Sequence, residues 1–349
     1  MIRVLVVEDS HVVRDLLVFI LGSDPEIEVV ATAGDGYQAI ELASKFHPDV
    51  ITMDIHMPRL DGVEAVRRIM ATDPIPTVII SASVDPGEVG DAFRAMEAGA
   101  VAVCEKPQGI THPQYHAQAR KIVQTVKMVS EIRVVRRWKP SKSGVCPPAQ
   151  DRELQPGTSK IELVAIGAST GGPPVLCGIL SGLTRSFPAP ILIVQHIAPG
   201  FLPGLVGWLT SATGVPVEIA CDAKIAQRGH AYIAPDGVHM KVQRSCRIDL
   251  ARGIPENGMC PSVSVLFRSV AEAFDRSAAG ILLTGMGRDG ADELLLMKNK
   301  GALTIAQDKE SSVIHGMTGE AVKLGAARYV LPPDKIVEIL NSCTGRKRE

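Results

Sequence analysis

The feature that most constrains this chain is a regular alternation of short apolar strands with amphipathic helical segments, which occurs twice. The first run occupies residues 1 to about 110, and the second begins at Ile161. Such alternation predicts a parallel sheet with helices on both faces. Because 349 residues exceed one ordinary core, we predict two doubly wound α/β domains rather than one.

Five strands are predicted in each run from short segments rich in apolar residues. In the first run they are Arg3–Val7, Glu28–Ala31, Val50–Met53, Thr77–Ile80 and Val101–Cys104. In the second run they are Ile161–Ile166, Ile191–Val194, Val217–Ala220, Gly280–Thr284 and Ala302–Ala306. A small antiparallel excursion is predicted at Ala231–Ala234, Val238–Val242 and Cys246–Leu250.

Composition along the chain sets the predicted domain boundaries. The first domain covers residues 1–125, and its closing helix, about Pro113–Val135, extends to about residue 136. Residues 137–160 contain four prolines and three serines with few large apolar residues, which is typical of a linker. The second domain then covers residues 161–349.

Charge and apolar content exclude several classes of protein. A net charge of −1 gives no basic field that would draw the chain to nucleic acid or an anionic membrane. No apolar run approaches the roughly 20 residues that span a bilayer, and the start runs directly into a strand without the layout of a signal peptide. Seven cysteines without a Cys-x-x-Cys pair indicate reduced thiols. We therefore expect a cytoplasmic protein.

Polar side chains follow four of the predicted strands in the first domain. Glu8 and Asp9 follow the first strand, and Asp54 follows the third. Ser81 follows the fourth strand, and Lys106 lies just past the fifth. Because the carboxyl ends of parallel strands share one crevice, these groups are expected to form one pocket. Clustered carboxylates repel unless a cation such as Mg²⁺ offsets them, and an aspartate beside Mg²⁺ can attack a phosphoryl donor. The alternative is that the aspartates only cap helices.

With these positions, residues 1–125 resemble the receiver domain of two-component response regulators. The shared motifs are Val-Glu-Asp-Ser from residue 7, Met-Asp-Ile-His-Met-Pro from residue 53, Asp-Gly from residue 61, Ile-Ser-Ala from residue 80 and Glu-Lys-Pro from residue 105. The resemblance implies that Asp54 accepts a phosphoryl group from a sensor histidine kinase and that Ser81 and Lys106 are the switch residues. The implied Mg²⁺ ligands are Glu8, Asp9, Asp54 and the carbonyl of His56.

Three polar motifs follow apolar strands in the second domain. Ser169 lies in Gly-Ala-Ser-Thr-Gly-Gly, His196 follows Gln195, and Asp289 lies in Gly-Met-Gly-Arg-Asp-Gly. The strand ends again share one crevice, and serine, histidine and aspartate are the parts of nucleophilic acyl transfer. Gly167–Gly171 also matches the nucleophile-elbow pattern G-x-S-x-G, in which a helix N-terminus favours developing negative charge.

Simpler interpretations of these three residues remain open. The serine could cap a helix, the histidine could serve packing alone, and the aspartate could belong to a turn. Other histidines also compete for the role of general base. His230 and His239 fall in the predicted antiparallel excursion, away from the crevice, whereas His315 is the strongest rival of His196.

Residues 161–345 resemble the catalytic domain of the chemotaxis protein-glutamate methylesterase family. The shared motifs are Ile-Gly-Ala-Ser-Thr-Gly-Gly from residue 166, Val-Gln-His from residue 194, Tyr-Ile-Ala-Pro from residue 232, Pro-Ser-Val-x-Val-Leu-Phe-Arg-Ser-Val from residue 261, Leu-Leu-Thr-Gly-Met-Gly-Arg-Asp-Gly from residue 282 and Ala-Gln-Asp from residue 306. The resemblance implies Ser169 as nucleophile, His196 as general base and acid, and Asp289 as the orienting carboxylate. It also implies oxyanion donors at the backbone N–H groups of Met286 and Thr170.

The implied activity is phosphorylation-activated hydrolysis of glutamate methyl esters on the cytoplasmic helices of a methylated chemoreceptor, without a cofactor at the esterase site. Glutamine deamidation at the same site is a close rival, because acyl transfer can also expel ammonia. A non-catalytic scaffold and a DNA-binding regulator also remain open, although the chain lacks a concentrated basic recognition segment. A receiver tethered by about 25 residues stays at high effective concentration and is expected to inhibit by covering Ser169.

Overall fold

The computed structural model describes residues 1–81, 86–132, 161–185 and 187–343, with side chains of the second range described from residue 90 onward. The predicted linker, residues 137–160, lies outside the described residues. The chain divides into two compact units, and the second contains residues 81–97 and 101–105 of the first sheet region together with the second sheet.

The first sheet has five strands, as predicted. They are β1 (Ile2–Val7), β2 (Ile27–Ala33), β3 (Val50–Met53), β4 (Thr77–Ser81) and β5 (Ala102–Glu105). The helices are α1 (His11–Gly22), α2 (Gly36–Phe46), α3 (Gly62–Thr72), α4 (Pro86–Ala98) and α5 (Tyr115–Ser130). The order is β2-β1-β3-β4-β5, and the pairings β1–β2, β1–β3 and β3–β4 are parallel. The order reverses between β1 and β3, which is where a doubly wound sheet places its ligand site.

Burial explains why these segments form a helix-covered sheet. Every residue of β3 and β4 is buried, and strands buried on both faces require near-continuous apolar runs. Asp35 and Asp61 cap α2 and α3 through backbone N–H groups. The closing helix is shorter than predicted, because α5 begins at Tyr115 and ends at Ser130, and residues 133–135 lie outside the described ranges.

The second sheet has seven strands. They are β6 (Leu163–Ala168), β7 (Ile191–Gln195), β8 (Val217–Ile219), β9 (Ala231–Ile233), β12 (Ala278–Leu282), β13 (Leu303–Gln307) and β14 (Tyr329–Leu331). A separate antiparallel pair is formed by β10 (His239–Val242) and β11 (Ile248–Ala251). The helices are α6 (Gly172–Gly182), α7 (Leu202–Thr213), α8 (Val263–Phe274), α9 (Ala291–Asn299), α10 (Met317–Lys323) and α11 (Pro333–Ser342), with a 3₁₀ turn at Asp275–Ser277.

The strand order is β14-β13-β12-β6-β7-β9-β8, and all these pairings are parallel. The structure therefore confirms the predicted class, an α/β fold with two doubly wound sheets and a small antiparallel hairpin. The central strand β6 has β12 on one side and β7 on the other, so the strand order reverses around β6. The predicted crevice therefore lies beyond the carboxyl ends of these three strands.

Two features of the second sheet differ from the prediction. The segment at Ala231 is not antiparallel, because β9 inserts between β7 and β8 with all three residues buried. The edge strand β14 was not predicted, since it is only three residues long and Val330 is exposed. Hydrophobic periodicity and apolar content cannot identify a strand reliably in a segment of only three residues.

Every helix in the described ranges is too short or too polar to cross a membrane. The six cysteines that the structure describes are free thiols.

Candidate active site and phosphoacceptor pocket

Ser169 lies in a tight turn between the central strand and the following helix. Strand β6 ends one residue before it, and α6 begins three residues after it. Gly171 has a φ of 77°, and a Cβ there would lie 2.5 Å from the Cβ of Val313. Both the positive φ and the close approach favour glycine at this position. The G-x-S-x-G pattern therefore corresponds to a strand-to-helix turn with Ser169 at its centre.

The segment after β12 lies directly against this turn. Ser169 donates its backbone N–H to the carbonyl of Thr284 at 3.0 Å. A Cβ added at Gly285 would lie 2.5 Å from the Cβ of Ser169, so the glycine backbone touches the serine. The same Gly285 carbonyl accepts from the backbone N–H groups of Gly316 and Met317. Three chain segments are thus fixed around the serine.

His196 and Asp289 form a direct pair. His196 follows β7, and its backbone N–H donates to the Ala168 carbonyl at 2.9 Å. Its Nε2 lies 3.0 Å from Oδ2 of Asp289, and both side chains are less than one-tenth exposed. The other ring nitrogen, Nδ1, is buried and has no hydrogen-bond partner among the described residues.

Gln195 ties the serine turn to the histidine. Its Nε2 donates to the carbonyl of Ser169 at 2.8 Å and to the carbonyl of His196 at 2.8 Å. The side chain is 3% exposed. Sequence reasoning treated Gln195 only as part of a motif, although a polar residue at the end of a fully buried strand is a signal for such a role.

The Asp289 carboxylate accepts from five donors among the described residues. Its Oδ1 accepts from Ser262 Oγ at 2.7 Å, the Ser264 N–H at 3.1 Å and Asn257 Nδ2 at 3.2 Å. Its Oδ2 accepts from the Val263 N–H at 2.7 Å in addition to the histidine. Two of these donors belong to the first turn of α8, where a helix favours negative charge.

These donors decide the charge of Asp289. Burial acts to raise the pKa of this carboxyl group, but the hydrogen bonds from His196, Ser262 and Ser264 and the charge of the histidine outweigh it and lower the pKa well below the usual range. Asp289 therefore remains ionised and can hold the imidazole in one orientation.

Asn257 was missed by sequence reasoning, although a local signal marks it. Asn257 and Gly258 have φ values of 53° and 75° and lie between the bridged residues Glu256 and Met259. Asn-Gly between two paired residues is typical of a type I′ turn. The Asn257 side chain extends from this turn to the Asp289 carboxylate.

Two backbone donors remain available beside the serine. No hydrogen bond within the described residues takes up the N–H of Thr170 or of Met286. Thr170 directly follows Ser169, and Met286 follows the glycine that touches it. Both groups are therefore suitably placed candidates for the predicted oxyanion donors.

The rival histidines have partners other than Asp289. His315 pairs with Gly285 in a β-bridge, and its Nδ1 is 2.9 Å from Thr318 Oγ1. Burial and the nearby Lys309 charge lower the pKa of His315. His230 Nδ1 lies 3.3 Å from Glu218. Among these histidines and His196, only His196 contacts Asp289.

His239 is closer to the site than predicted. It is in β10, as expected, but its Nδ1 accepts the backbone N–H of Ser262 at 3.3 Å, and Ser262 binds Asp289. Its Nε2 faces the carbonyl of Ile254 at 3.1 Å. The antiparallel pair therefore reaches the segment that holds the Asp289 carboxylate, and the expectation that it lies apart from the crevice is wrong for this residue.

The first sheet gathers its acidic groups at the carboxyl edge. Ligand atoms of Glu8, Asp9 and Asp54 all lie within 4.8 Å of one another. Lys106 Nζ is 2.9 Å from Asp54 Oδ2 and 3.2 Å from Glu8 Oε2. Ser81 is the buried last residue of β4. The acidic group and Lys106 thus share one pocket, as the strand-end argument predicts.

The acidic pocket suits a divalent cation. Burial and the neighbouring Asp54 raise the pKa of Glu8 to about 7, although Lys106 acts to lower it. Within the described residues, Glu8 Oε2 and Asp54 Oδ2 are buried oxygens without a hydrogen bond, and Lys106 is their ion-pair partner. A single ammonium leaves the carboxylates incompletely compensated, so an ion that prefers oxygen ligands, such as Mg²⁺, fits this donor set. His56 is exposed two residues after Asp54, and its carbonyl remains a predicted ligand.

Comparisons with known proteins match both domains. Residues 4–114 match the response regulator receiver domain, and residues 164–340 match the CheB methylesterase family. A protein-glutamate methylesterase/protein-glutamine glutaminase of Nitrosospira multiformis is 53% identical, with 100% of this chain and 99% of the relative covered. A protein of the same name, numbered 1, from Syntrophus aciditrophicus is 52% identical, with 99% of each chain covered.

A solved structure of the CheB methylesterase catalytic domain of Thermotoga maritima is 36% identical, covers 52% of this chain and 98% of that chain, and has a TM-score of 0.49. The matches to the two family models and the identity to relatives over their whole length lead to one conclusion: this chain belongs to the CheB methylesterase family, with a receiver domain before the methylesterase domain.

Proposed function

We propose that this chain hydrolyses glutamate methyl esters on a methylated chemoreceptor in chemotactic adaptation, and that phosphorylation of Asp54 accelerates the reaction. The observation that carries the proposal is the 3.0 Å pair between His196 and Asp289 beside the Ser169 turn. Full-length relatives named protein-glutamate methylesterase/protein-glutamine glutaminase support the substrate class. The fold and the family both favour this hydrolase over a DNA-binding regulator or a scaffold.

The proposed reaction begins with attack of Ser169 Oγ on the ester carbonyl. Asp289 holds Nε2 of His196, so Nδ1 is the ring nitrogen left to receive the serine proton. The N–H groups of Thr170 and Met286 stabilise the oxyanion, and such donors typically contribute about 3–4 kcal/mol each. Collapse of the intermediate expels methanol, which takes the proton from the imidazole.

Water then hydrolyses the glutamyl-enzyme by the reverse sequence of proton transfers. His196 accepts a proton from the water, and the serine hydroxyl takes it when the acid product leaves. Asp289 remains ionised throughout because the hydrogen bonds from His196, Ser262 and Ser264 lower the pKa of its carboxyl group. In the proposed reaction, side chains of the chain therefore carry the proton transfers, and backbone N–H groups stabilise the oxyanion.

Glutamine deamidation is proposed as a second reaction of the same site. The amide of a glutamine would give the same glutamyl-enzyme and release ammonia instead of methanol. The names of the relatives join the two activities. A glutamine-bearing receptor fragment, assayed for released ammonia, tests this reaction with the Ser169→Ala variant as its control.

The acidic pocket is proposed to receive the phosphoryl group from a sensor histidine kinase. Asp54 is the proposed phosphoacceptor, with Glu8, Asp9 and the His56 carbonyl as further Mg²⁺ ligands. Lys106 already lies within ion-pair distance of Asp54 and would bind a phosphoryl oxygen, and Ser81 would bind another. Bound Mg²⁺ would offset the negative charge of the carboxylates and the phosphoryl group.

Regulation is proposed to act by relief of inhibition. Phosphorylated Asp54 gains negative charge and acceptor oxygens. This shifts the equilibrium of the receiver between an inhibitory and a non-inhibitory arrangement. A bias of a few kcal/mol is enough to change activity tenfold or more. A fragment that starts near Lys160 should then be faster than the unphosphorylated full chain and indifferent to phosphodonor. A fragment no faster than the full chain would contradict inhibition and favour recruitment to the receptor.

The direct test uses receptor-containing membranes carrying labelled methyl esters. The full chain should release labelled methanol, faster with a small phosphodonor and Mg²⁺. Ser169→Ala should release none, and Asp54→Ala should hold the basal rate with or without phosphodonor. Absence of methanol release by a folded full chain would favour a scaffold function.

A further inference from the structure

Asn257 connects an exposed turn to the carboxylate of the proposed triad. Its Nδ2 lies 3.2 Å from Asp289 Oδ1 and 3.1 Å from Ser264 Oγ. The latter hydroxyl accepts the backbone N–H of Gly290, the residue after the aspartate, at 2.9 Å. The amide group of Asn257 therefore contacts both the carboxylate of Asp289 and the Ser264 hydroxyl, which binds the backbone of the residue after that aspartate.

The turn that carries Asn257 is fixed from two sides. Glu256 pairs with Arg268 of α8, which also pairs with Glu293 of α9 at 2.8 Å. On the other side, the Ile254 carbonyl accepts from His239 Nε2 at 3.1 Å. The backbone bonds between Glu256 and Met259 close the turn at 2.9 and 3.0 Å. These bonds place the amide of the exposed residue Asn257 within 3.2 Å of the carboxylate.

Two other donors share Oδ1 with Asn257, but they approach it from a different segment of the chain. Ser262, Val263 and Ser264 all belong to the start of α8, so they approach as one rigid group. Among the described donors, Asn257 approaches from outside this group, as His196 does. It bonds Oδ1, whereas the histidine bonds Oδ2, so the two side chains hold opposite oxygens of one carboxylate.

We propose that Asn257 is a positioning residue of the esterase, which acts through Asp289 to fix the orientation of His196. This inference rests on the proposed triad. The Asn257 donor adds to the bonds that Ser262 and Ser264 already make to Oδ1, so it withdraws further negative charge from the carboxylate and further restrains rotation about its Cβ–Cγ bond. Without it, the carboxylate carries more negative charge, which raises the proton affinity of the imidazole, and it is less well aligned. The loss of alignment slows proton transfer from Ser169.

Two substitutions separate the side chain from the turn. Asn257→Gly removes the amide and keeps a residue that accepts positive φ, and Asn257→Asp keeps a turn-forming residue but replaces the donor with a charge beside Asp289. Ala223→Gly is the matched control, because Ala223 is exposed and also has a positive φ, of 62°, but makes no contact with Asp289. Thermal unfolding of each variant reports whether the fold is kept.

We expect kcat for ester hydrolysis by the full chain to fall about tenfold in Asn257→Gly and further in Asn257→Asp, with KM little changed. The acid limb of the kcat profile should move to higher pH, most in Asn257→Asp, because more negative charge beside His196 favours the protonated imidazole. The low-field NMR signal of the His196 Nε2 proton should shift in both variants. Ala223→Gly should match the parent chain in all three measurements.

Asp289→Asn separates failure of this inference from failure of the proposed triad. An Asp289→Asn protein with full kcat would refute the triad. If Asp289→Asn is impaired while both Asn257 variants keep the parent kcat, pH profile and proton signal, the assignment of Asn257 is wrong and the triad stands. A change confined to KM would also overturn it, since it would place Asn257 in substrate binding.

Discussion

The two sheets place buried carboxylates at equivalent edges, yet the surroundings give these groups opposite properties. Glu8 lies at the carboxyl end of β1 beside Asp54, and burial with that neighbour raises its pKa to about 7. Asp289 follows β12 and is also buried, but its donors lower its pKa. Topology therefore decides where acidic groups gather, whereas the number of donors around them decides whether they need a cation.

Replacement of the serine at each edge should show the largest contrast. Ser169→Ala should lower kcat for ester hydrolysis by about 10⁴-fold or more, because the nucleophile is lost. Ser81→Ala, at the end of β4, should keep the unphosphorylated rate. Methanol release by both variants, with thermal unfolding to verify the fold, makes the comparison. Normal turnover by a folded Ser169→Ala protein would show that the carboxyl edge of the second sheet is not the catalytic site.

Replacement of His196 and of His315 tests which histidine acts as the base at the edge of the sheet that holds Asp289. His196→Ala should lower kcat by about 10³-fold, since Asp289 would then have no imidazole to orient. His315→Ala should cost less than about tenfold, because His315 bonds Thr318 rather than the carboxylate. A larger loss of kcat in His315→Ala than in His196→Ala would show that the general base was assigned to the wrong histidine.

The two edges should respond differently to a chelator. Excess EDTA should slow phosphorylation of Asp54 by a small phosphodonor by at least about tenfold, because Lys106 alone does not compensate the carboxylates of the acidic pocket. The unphosphorylated esterase rate should be unchanged. Labelling by phosphodonor and methanol release in the same samples test both statements. Full-rate labelling in EDTA would remove the proposed need for Mg²⁺.

Loss of charge at Asp289 should destabilise the protein. Asp289→Asn should lower the free energy of unfolding by about 2–3 kcal/mol at neutral pH, because donors aimed at a carboxylate lose a charged acceptor. The folded pKa lies below the unfolded value of about 3.9, so this stabilisation is complete above about pH 3.9 and is lost as the pH falls through the folded pKa. Urea unfolding below about pH 4 should therefore be less steeply pH-dependent in the variant.

Loss of charge at Glu8 should change the free energy of unfolding in the opposite direction and by the smallest amount. Without Mg²⁺, Glu8→Gln should raise the free energy of unfolding by about 1 kcal/mol, because one of the three clustered carboxylates is neutralised while Lys106 keeps Asp54 as partner. Added Mg²⁺ should stabilise the parent chain more than the variant. Equal destabilisation by Glu8→Gln and Asp289→Asn in urea titrations would contradict the contrast between the edges.

Strand positions, and the polar groups that gather at the carboxyl ends of the strands, could be predicted because they follow from local pattern. Buried parallel strands require apolar runs, and the groups that follow them must meet at one edge, which was sufficient to bring His196 to Asp289 and Lys106 to Asp54. Helix ends were less predictable, since α5 stops at Ser130 while its sequence pattern continues.

The contacts that tune the site could not be derived in the same way. Asn257 and His239 reach the Asp289 segment from a turn and from the antiparallel pair, and no periodicity in the sequence relates those segments to α8. Gln195 and Asn257 each had a local signal, a polar end to a buried strand and an Asn-Gly turn. Such signals identify a residue with a structural task but do not identify its partner.

The placement of β6 between β7 and β12 has a consequence for synthesis of the protein. The proposed nucleophile and base come from consecutive strands, but the orienting carboxylate of Asp289 follows β12, much later in the chain. Because a ribosome releases the N-terminal part first, a nascent chain that ends before residue 278 lacks β12 and its carboxylate. Esterase activity should therefore arise only late in translation, after the receiver sequence that regulates it has already emerged.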